Sequence, residues 1–202
     1  MSKIKGLFLD VGGVMMTNGW DHHGRAKVLE EFGVDRDEFE VLHKEWNNDY
    51  EKDLITLDEY LERTVFYKKR FFSMDAFKKA MFSLSKPYID VINQVKKLKE
   101  EFRLQIHIVS NEAKEVMQNR IKLAGFDSFV GGYFFSCFVH LQKPDPRMYQ
   151  LALDVTHLQP EDVIYIDDRK ELIEAASLMG IKGILNESWE KTEKELRAIV
   201  YR

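Results

Sequence analysis

The chain has 202 residues, 45% of them hydrophobic, 12% aromatic and 32% charged, with a formal net charge of −4. Fourteen Phe, 8 Tyr and 3 Trp supply enough apolar surface for a sizeable core and exclude a chain that is mainly disordered, while the acidic balance argues against a dedicated nucleic-acid binder. A single cysteine, Cys137, excludes an intramolecular disulfide and any multi-cysteine zinc site, and fits a reducing cytoplasm.

The first apolar run, Gly6 to Leu9, reads as a buried strand. It is broken at Asp10, with no small-residue cleavage site behind it, so it does not read as a signal peptide. No stretch of the sequence is apolar for long enough to span a membrane. Between Thr17 and Pro87 the chain becomes rich in Glu, Lys, Asp and aromatic residues at helical spacing, over 25–32, 37–46, 57–67 and 74–84. Thr56 followed by Glu59 is a capping-box pattern that opens one of these helices. Ile89, Ile92, Val95, Leu98 and Phe102 keep one apolar face. A second short β-branched run follows at 106–109, then a less regular helix through Val116 and Ile121. Cys137 lies in an aromatic, strand-like stretch at 130–139. Asp145 and Pro146 read as N-cap and first residue of a further helix. A third buried strand covers 163–166, and a turn at Gly180 to Gly183 leads into a last strand at 184–185. Strands alternating with helices predict a doubly wound α/β fold with a parallel sheet. Its core would be formed by 1–16 and 88–202, with 17–87 inserted as a small helical domain after the first strand.

Each strand-like run ends in polar groups. Asp10 follows the first, Ser110 and Asn111 end the second, and Asp167 and Asp168 end the third; Lys143 stands just before Pro144 and Asp145. In an open α/β sheet such strand ends converge on one crevice. Three carboxylates make a hard, oxygen-rich site suited to Mg²⁺, and a hydroxyl, an amide and an ammonium beside them suit phosphate oxygens. That combination describes nucleophilic phosphoryl transfer with an aspartate as covalent carrier.

In this order the four elements resemble the haloacid dehalogenase-like hydrolase superfamily. The resemblance implies Asp10 as nucleophile, Ser110 and Asn111 as phosphoryl-binding residues, and Lys143 as both a catalytic and a phosphate-neutralising group. It implies Mg²⁺ held by Asp10, the backbone carbonyl of Gly12 and Asp168, with Asp167 either a further ligand or the group behind one. The inserted region resembles the family's helical cap. The expected activity is hydrolysis of a small phosphorylated metabolite, a sugar phosphate among the candidates. The expected protein is cytoplasmic, a monomer or homodimer, with no nucleic-acid or membrane partner.

Two positions depart from the family's phosphatases. Gly12 stands where they usually carry a second aspartate serving as general acid, although members with an Asp-x-Gly motif resemble sugar phosphatases. Leu172 stands where many relatives keep Asn or Asp, with Glu171 beside it as a replacement. Gly12 also keeps open a metal-independent 2-haloacid dehalogenase, which would not need the Asp167 and Asp168 pair, and a phosphoryl-binding protein without turnover. His22 and His23 are either solvent-exposed loop residues or, for one of them, a substitute acid. His107, between Ile106 and Ile108, reads as structural.

Overall fold

The computed structural model describes residues 4–201. Strand β1 (Gly6–Leu9) leads into four helices, α1 (His22–Glu31), α2 (Arg36–Glu51), α3 (Leu57–Thr64) and α4 (Met74–Ser83). The chain then runs through α5 (Ile89–Phe102), β2 (Gln105–Ser110), α6 (Lys114–Ala124), β3 (Gly132–Phe135) and the single turn α7 (Ser136–Val139). It ends with α8 (Pro146–Thr156), β4 (Val163–Asp167), α9 (Lys170–Leu178), β5 (Lys182–Leu185) and α10 (Trp189–Val200). All strand pairs are parallel and the order is β3-β2-β1-β4-β5. This is the α/β fold expected from the alternating pattern. Cys137 lies in the helical turn α7, just past β3, rather than in a strand.

The alternation of side chains along each strand divides the core in two. Leu7, Leu9, Ile106, Ile108, Ile164 and Ile166 face one side, where Ile92, Val95 and Leu98 of α5, Met117 of α6 and Leu196 of α10 cover them. Phe8, Val109 and Tyr165 face the other, against Met148, Tyr149 and Ala152 of α8 and Leu172 of α9. Strands enclosed on both faces explain why these runs are continuously apolar. Several helix starts follow their local chemistry. Asp145 caps α8 with Pro146 at its first position, and Thr56 and Glu59 form the reciprocal capping box of α3.

The helices between β1 and α5 have their own apolar cluster, centred on Phe39, Tyr50, Tyr60, Leu61 and Phe77 and reaching Ala113 and Val116 at the start of α6. Two linkers join this cluster to the sheet, and they are tied to each other. Thr17 N donates to Lys86 O at 3.0 Å and Tyr88 N to Met15 O at 2.9 Å. Beneath them lies Arg120, 1% exposed. Its Nη2 donates to Thr17 O at 3.1 Å, its Nε donates to Ser85 Oγ at 3.2 Å, and its Nη1 pairs with Glu112. Gly19 has φ +66°, and a Cβ there would overlap the Arg120 guanidinium, so only glycine lets the first linker pass.

Arg120→Ala removes both linker anchors and leaves Glu112 without its cation. Breaking a buried pair from one side costs about 3–5 kcal/mol, so the variant is expected to unfold at clearly lower urea concentration near pH 8. The 17–21 and 84–88 linkers should also become the preferred sites of limited proteolysis. An unchanged urea midpoint would show that the linkers are held by other contacts.

Candidate active site

The strand order decides the geometry of the site. β1 lies between β2 and β4, so Asp10, Ser110 and Asp167 reach the same edge of the sheet, where connections leave in opposite directions and a crevice opens. Asp10 stands one residue beyond β1, its N–H donating to Ile166 O at 2.9 Å. Lys143 enters this edge from the loop before α8 with a side chain fully shielded from solvent. Its Nζ donates to Asp10 Oδ1 at 2.8 Å, to Asp167 Oδ2 at 2.7 Å and to Tyr165 Oη at 2.9 Å. An ammonium has three N–H donors, so all are used. The Tyr165 hydroxyl donates in turn to Asp167 Oδ2. Burial holds the Tyr165 phenol well above its ordinary pKa, with Asp167 and Asp10 adding to the effect, and so keeps that donor in place.

Lys143 is fixed from its backbone as well. Asn111 Nδ2 donates to Lys143 O at 2.9 Å, and Lys143 N donates to Asn111 Oδ1 at 2.8 Å. The Asn111 amide therefore spends its carbonyl and one N–H on holding the lysine, leaving one N–H for a ligand. Ser110 is buried, and its hydroxyl has no hydrogen-bond partner among the described residues while lining the cavity.

The three carboxylates are not equivalent. Asp167 is fully buried; Oδ2 takes Lys143 and Tyr165, and Oδ1 accepts from Arg169 N at 2.9 Å. Both oxygens are thus committed to holding the lysine and the turn. Asp168 is more open, and its Oδ2 accepts from Asn18 Nδ2 at 3.2 Å. Burial pushes the Asp168 carboxyl up to about 6, helped by the charge on Asp10. Two carboxylates with that mutual repulsion suit a divalent cation. One oxygen from each of Asp10, Asp167 and Asp168 lies within 4.8 Å of the others, and this donor set fits Mg²⁺, with Asp10 and Asp168 the pair free to hold it. Gly13 makes the approach possible: at φ +67° a Cβ would overlap the Asp168 carboxylate, and Asn186 Nδ2 donates to Gly13 O at 2.8 Å to hold the turn.

A cavity of about 270 Å³ opens over this edge, lined by Asp10, Gly12, Ser110 and Asp168 below and by Trp20, Asn47, Tyr50 and Glu51 above. Several expected roles move. His22 and His23 open α1 and neither lines the cavity. Glu171 is exposed, and Asn18 rather than Glu171 braces Asp168. Asn18, Glu112, Tyr165 and Arg169 were not expected at the site. Of these, Tyr165 had a signal in the sequence, since it shares a strand face with Asp167 two residues on. The Arg169 guanidinium lines the cavity and makes no hydrogen bond to the described residues.

Fold and site together define a hydrolase of Rossmann-like α/β architecture, with its carboxylates and lysine at the carboxyl edge of a parallel sheet. Residues 23–185 match the model of the haloacid dehalogenase-like hydrolases, and the chain belongs to that family; Asp10 lies ahead of the matched residues. The chain is 28% identical over 150 residues to flavin mononucleotide hydrolase 1 of Arabidopsis thaliana, a chloroplast protein by its name, a match covering 73% of this chain. The chain spans 59% of the length of that relative. Among solved structures, a HAD family enzyme of Bacteroides thetaiotaomicron in complex with magnesium and inorganic phosphate superposes with a TM-score of 0.77 at 18% identity, over 94% of this chain and 98% of that one. The L-2-haloacid dehalogenase of Xanthobacter autotrophicus, with chloropropionic acid covalently bound, superposes with a TM-score of 0.63 at 17% identity, over 96% and 83%.

The unequal carboxylates separate under mutation. Asp168→Asn is expected to lose Mg²⁺ binding in titration calorimetry while keeping the thermal midpoint. Asp167→Asn should retain measurable Mg²⁺ binding but lose on the order of 3 kcal/mol of stability, because the buried Lys143 then keeps only one anionic partner. Unchanged Mg²⁺ affinity in Asp168→Asn would move the metal to Asp167.

Proposed function

We propose that this protein is a Mg²⁺-dependent phosphatase acting on a small phosphorylated metabolite, a sugar phosphate among the candidates, through an aspartyl-phosphate on Asp10. The observation that carries the reading is the buried Lys143 ammonium in contact with Asp10, with Asp168, braced by Asn18 and without a cation of its own, on the other side. Asp10 is then one nucleophilic carboxylate between a buried ammonium and a second carboxylate. Asp168 is the feature that favours phosphate chemistry over the metal-independent dehalogenase reading. The cavity volume of about 270 Å³ lies just below the ~300–1,000 Å³ usual for ligand sites, which supports a small substrate. Residues 17–87 act as a cap over the core formed by 1–16 and 88–202, since both regions contribute walls to the cavity. A cytoplasmic site of action agrees with this reading.

In the first step Asp10 attacks phosphorus with Oδ2, because Oδ1 is held by Lys143. The ester P–O bond breaks and its electron pair stays on the leaving oxygen. Lys143 holds the nucleophile in line and offsets the negative charge that gathers beside it. Ser110 donates its free hydroxyl to a phosphoryl oxygen, and the remaining Asn111 N–H stands next to it. Asn111 otherwise acts as a positioning residue for Lys143. Mg²⁺, when bound by Asp10 and Asp168 with the Gly12 carbonyl nearby, would neutralise phosphoryl charge and align the ester. In the second step water attacks the same phosphorus, the P–O bond to Asp10 breaks, and inorganic phosphate is released.

A screen of phosphorylated metabolites and of p-nitrophenyl phosphate, with Mg²⁺ and with a chelator, tests the reading. Turnover that requires Mg²⁺ is expected. Asp10→Asn should abolish it, at least ~10³-fold, with the circular dichroism spectrum kept and the melting temperature lowered, because Lys143 then keeps Asp167 as its one anionic partner. Chelator-resistant release of halide from a 2-haloacid, with no phosphate released from any ester, would replace the phosphatase reading with the dehalogenase one.

A further inference from the structure

A phosphatase that works through Asp10 still has to protonate the oxygen that leaves, and Gly12 has no side chain to do so. General acid catalysis contributes about 10²–10⁴-fold where the leaving group is a poor one. The structure holds a carboxyl group beside this gap that the steps above do not use. Glu112 follows Ser110 and Asn111 directly, lines the same cavity as Asp10 and Gly12, and is 8% exposed. We propose that Glu112 is the acid–base residue of the site: it gives a proton to the leaving oxygen and takes one from the attacking water, in place of the side chain missing at position 12. The proposal rests on the phosphoryl-transfer reading and adds a residue to it.

Three observations carry the assignment. The first is location. A Cβ built on Gly12 would lie 3.7 Å from Arg120 Nη1, and that same Nη1 is the atom that pairs with Glu112 Oε1. The Glu112 carboxyl therefore stands one ion pair away from where a side chain at position 12 would start. The second is rigidity. Ser136 binds the Glu112 backbone at both ends: its Oγ accepts from Glu112 N at 2.9 Å and donates to Glu112 O at 3.3 Å. Arg120, itself anchored to Thr17 and Ser85, fixes the side chain. The third is availability. Arg120 occupies Oε1, and Oε2 has no hydrogen-bond partner among the described residues. A surface-type ion pair would not be built so deep into a substrate cavity, where desolvation offsets much of its attraction.

The charges around Glu112 agree with the role. Arg120 on α6, Asp10 after β1, Glu51 and Tyr50 on α2, Cys137 on α7 and Lys143 before α8 all face it, with Asp168 and Arg169 on the same cavity wall. Burial pushes the carboxyl up to about 7; Arg120 and Lys143 oppose this, and Asp10 and Glu51 add to it. The group is thus partly protonated near neutrality, as a residue that must both give and accept a proton requires.

The proton balance is complete without another reactant. As Asp10 Oδ2 forms its bond to phosphorus, the ester P–O bond breaks and its electron pair stays on the leaving oxygen. That oxygen takes the Glu112 proton and departs as the neutral alcohol, leaving Glu112 as carboxylate. Water then attacks phosphorus and passes a proton to Glu112. The P–O bond to Asp10 breaks, its electron pair returns to the Asp10 carboxylate, and both side chains are back in their starting states.

The test compares the wild type with Glu112→Gln on a primary-alkyl phosphate and on p-nitrophenyl phosphate, across pH 5 to 9 with saturating Mg²⁺. Glutamine keeps the shape and still accepts from Arg120, but it has no proton to give. For the alkyl ester, kcat/KM should fall about 10²–10⁴-fold in the variant, and for the aryl ester less than about tenfold. In the wild type, kcat/KM for the alkyl ester should decline as pH rises through about 7, because the protonated form is the active one. Glu112→Gln should lose that decline. Melting temperature and beryllium fluoride binding, read by fluorine NMR, report whether the site is still assembled. If glutamine prevents folding, Glu112→Asp replaces it; the shorter carboxyl should slow the alkyl ester while keeping the alkaline decline. An equal loss on both esters, or an unchanged alkyl-ester rate in a folded variant, would overturn the role of Glu112 and leave the phosphatase reading intact. A wild type that hydrolyses no phosphate ester would overturn both.

Discussion

The Lys143 ammonium is the interaction on which the rest of the site depends. A cation with no solvent contact is tolerable only if every donor is satisfied and its charge is matched. Asp10, Asp167 and Tyr165 meet that condition together; Asp10 and Asp167 are there because neighbouring parallel strands end at that place, and Tyr165 because it shares a strand face with Asp167. The requirement extends outward. Asn111 has to grip the lysine's backbone, Tyr165 has to remain a neutral phenol, and Asp167 has to give up both oxygens. What remains is one reactive carboxylate, Asp10, beside a cation that cannot move away. Electrostatic preorganisation of this kind needs no rearrangement when charge develops.

The second constraint is steric, and it sits where the chain leaves β1. Gly13 lets the turn lie against the Asp168 carboxylate, and Gly19 lets the first linker cross over Arg120. Both positions have positive φ as well as no room for a Cβ. Arg120 then joins three separate pieces of the molecule: the two linkers, through Thr17 and Ser85, and the cavity wall, through Glu112. A buried guanidinium with its donors fixed in a planar fork is suited to such a junction, where a lysine would provide only a point charge. The helical insertion and the catalytic edge are therefore mechanically connected through one side chain.

Gly12 acquires its meaning from that junction. In sequence it is a gap, a place where an acid is expected and none is present. In the structure the space beside it is taken by Asn18, whose Oδ1 would lie 2.8 Å from a Cβ, and behind it by Arg120, which pairs with Glu112. The position without a side chain after β1 and the buried carboxyl after β2 line one cavity.

Short runs of mainly apolar, β-branched or aromatic residues at 6–9, 106–109 and 163–166 determined three parallel strands, because only strands enclosed on both faces avoid polar alternation. Thr56 with Glu59, and Asp145 with Pro146, determined two helix starts by local hydrogen bonding alone. The polar residues closing those strands determined that Asp10, Ser110, Asp167, Asp168 and Lys143 would gather at one edge. Roles within that edge were decided by tertiary contacts. Asp167 and Asp168 are adjacent and chemically identical, yet one faces a buried lysine and the other an open cavity, and no local pattern distinguishes them. Asn18 and Arg120 come from a linker and from a helix far apart in the chain, each acting on a partner more than a hundred residues away. His22 and His23, adjacent to the first motif, line no part of the cavity. Periodicity and capping are short-range and survive in the sequence, whereas the pairing of buried charges depends on which strands lie side by side, and that is fixed only when the sheet closes.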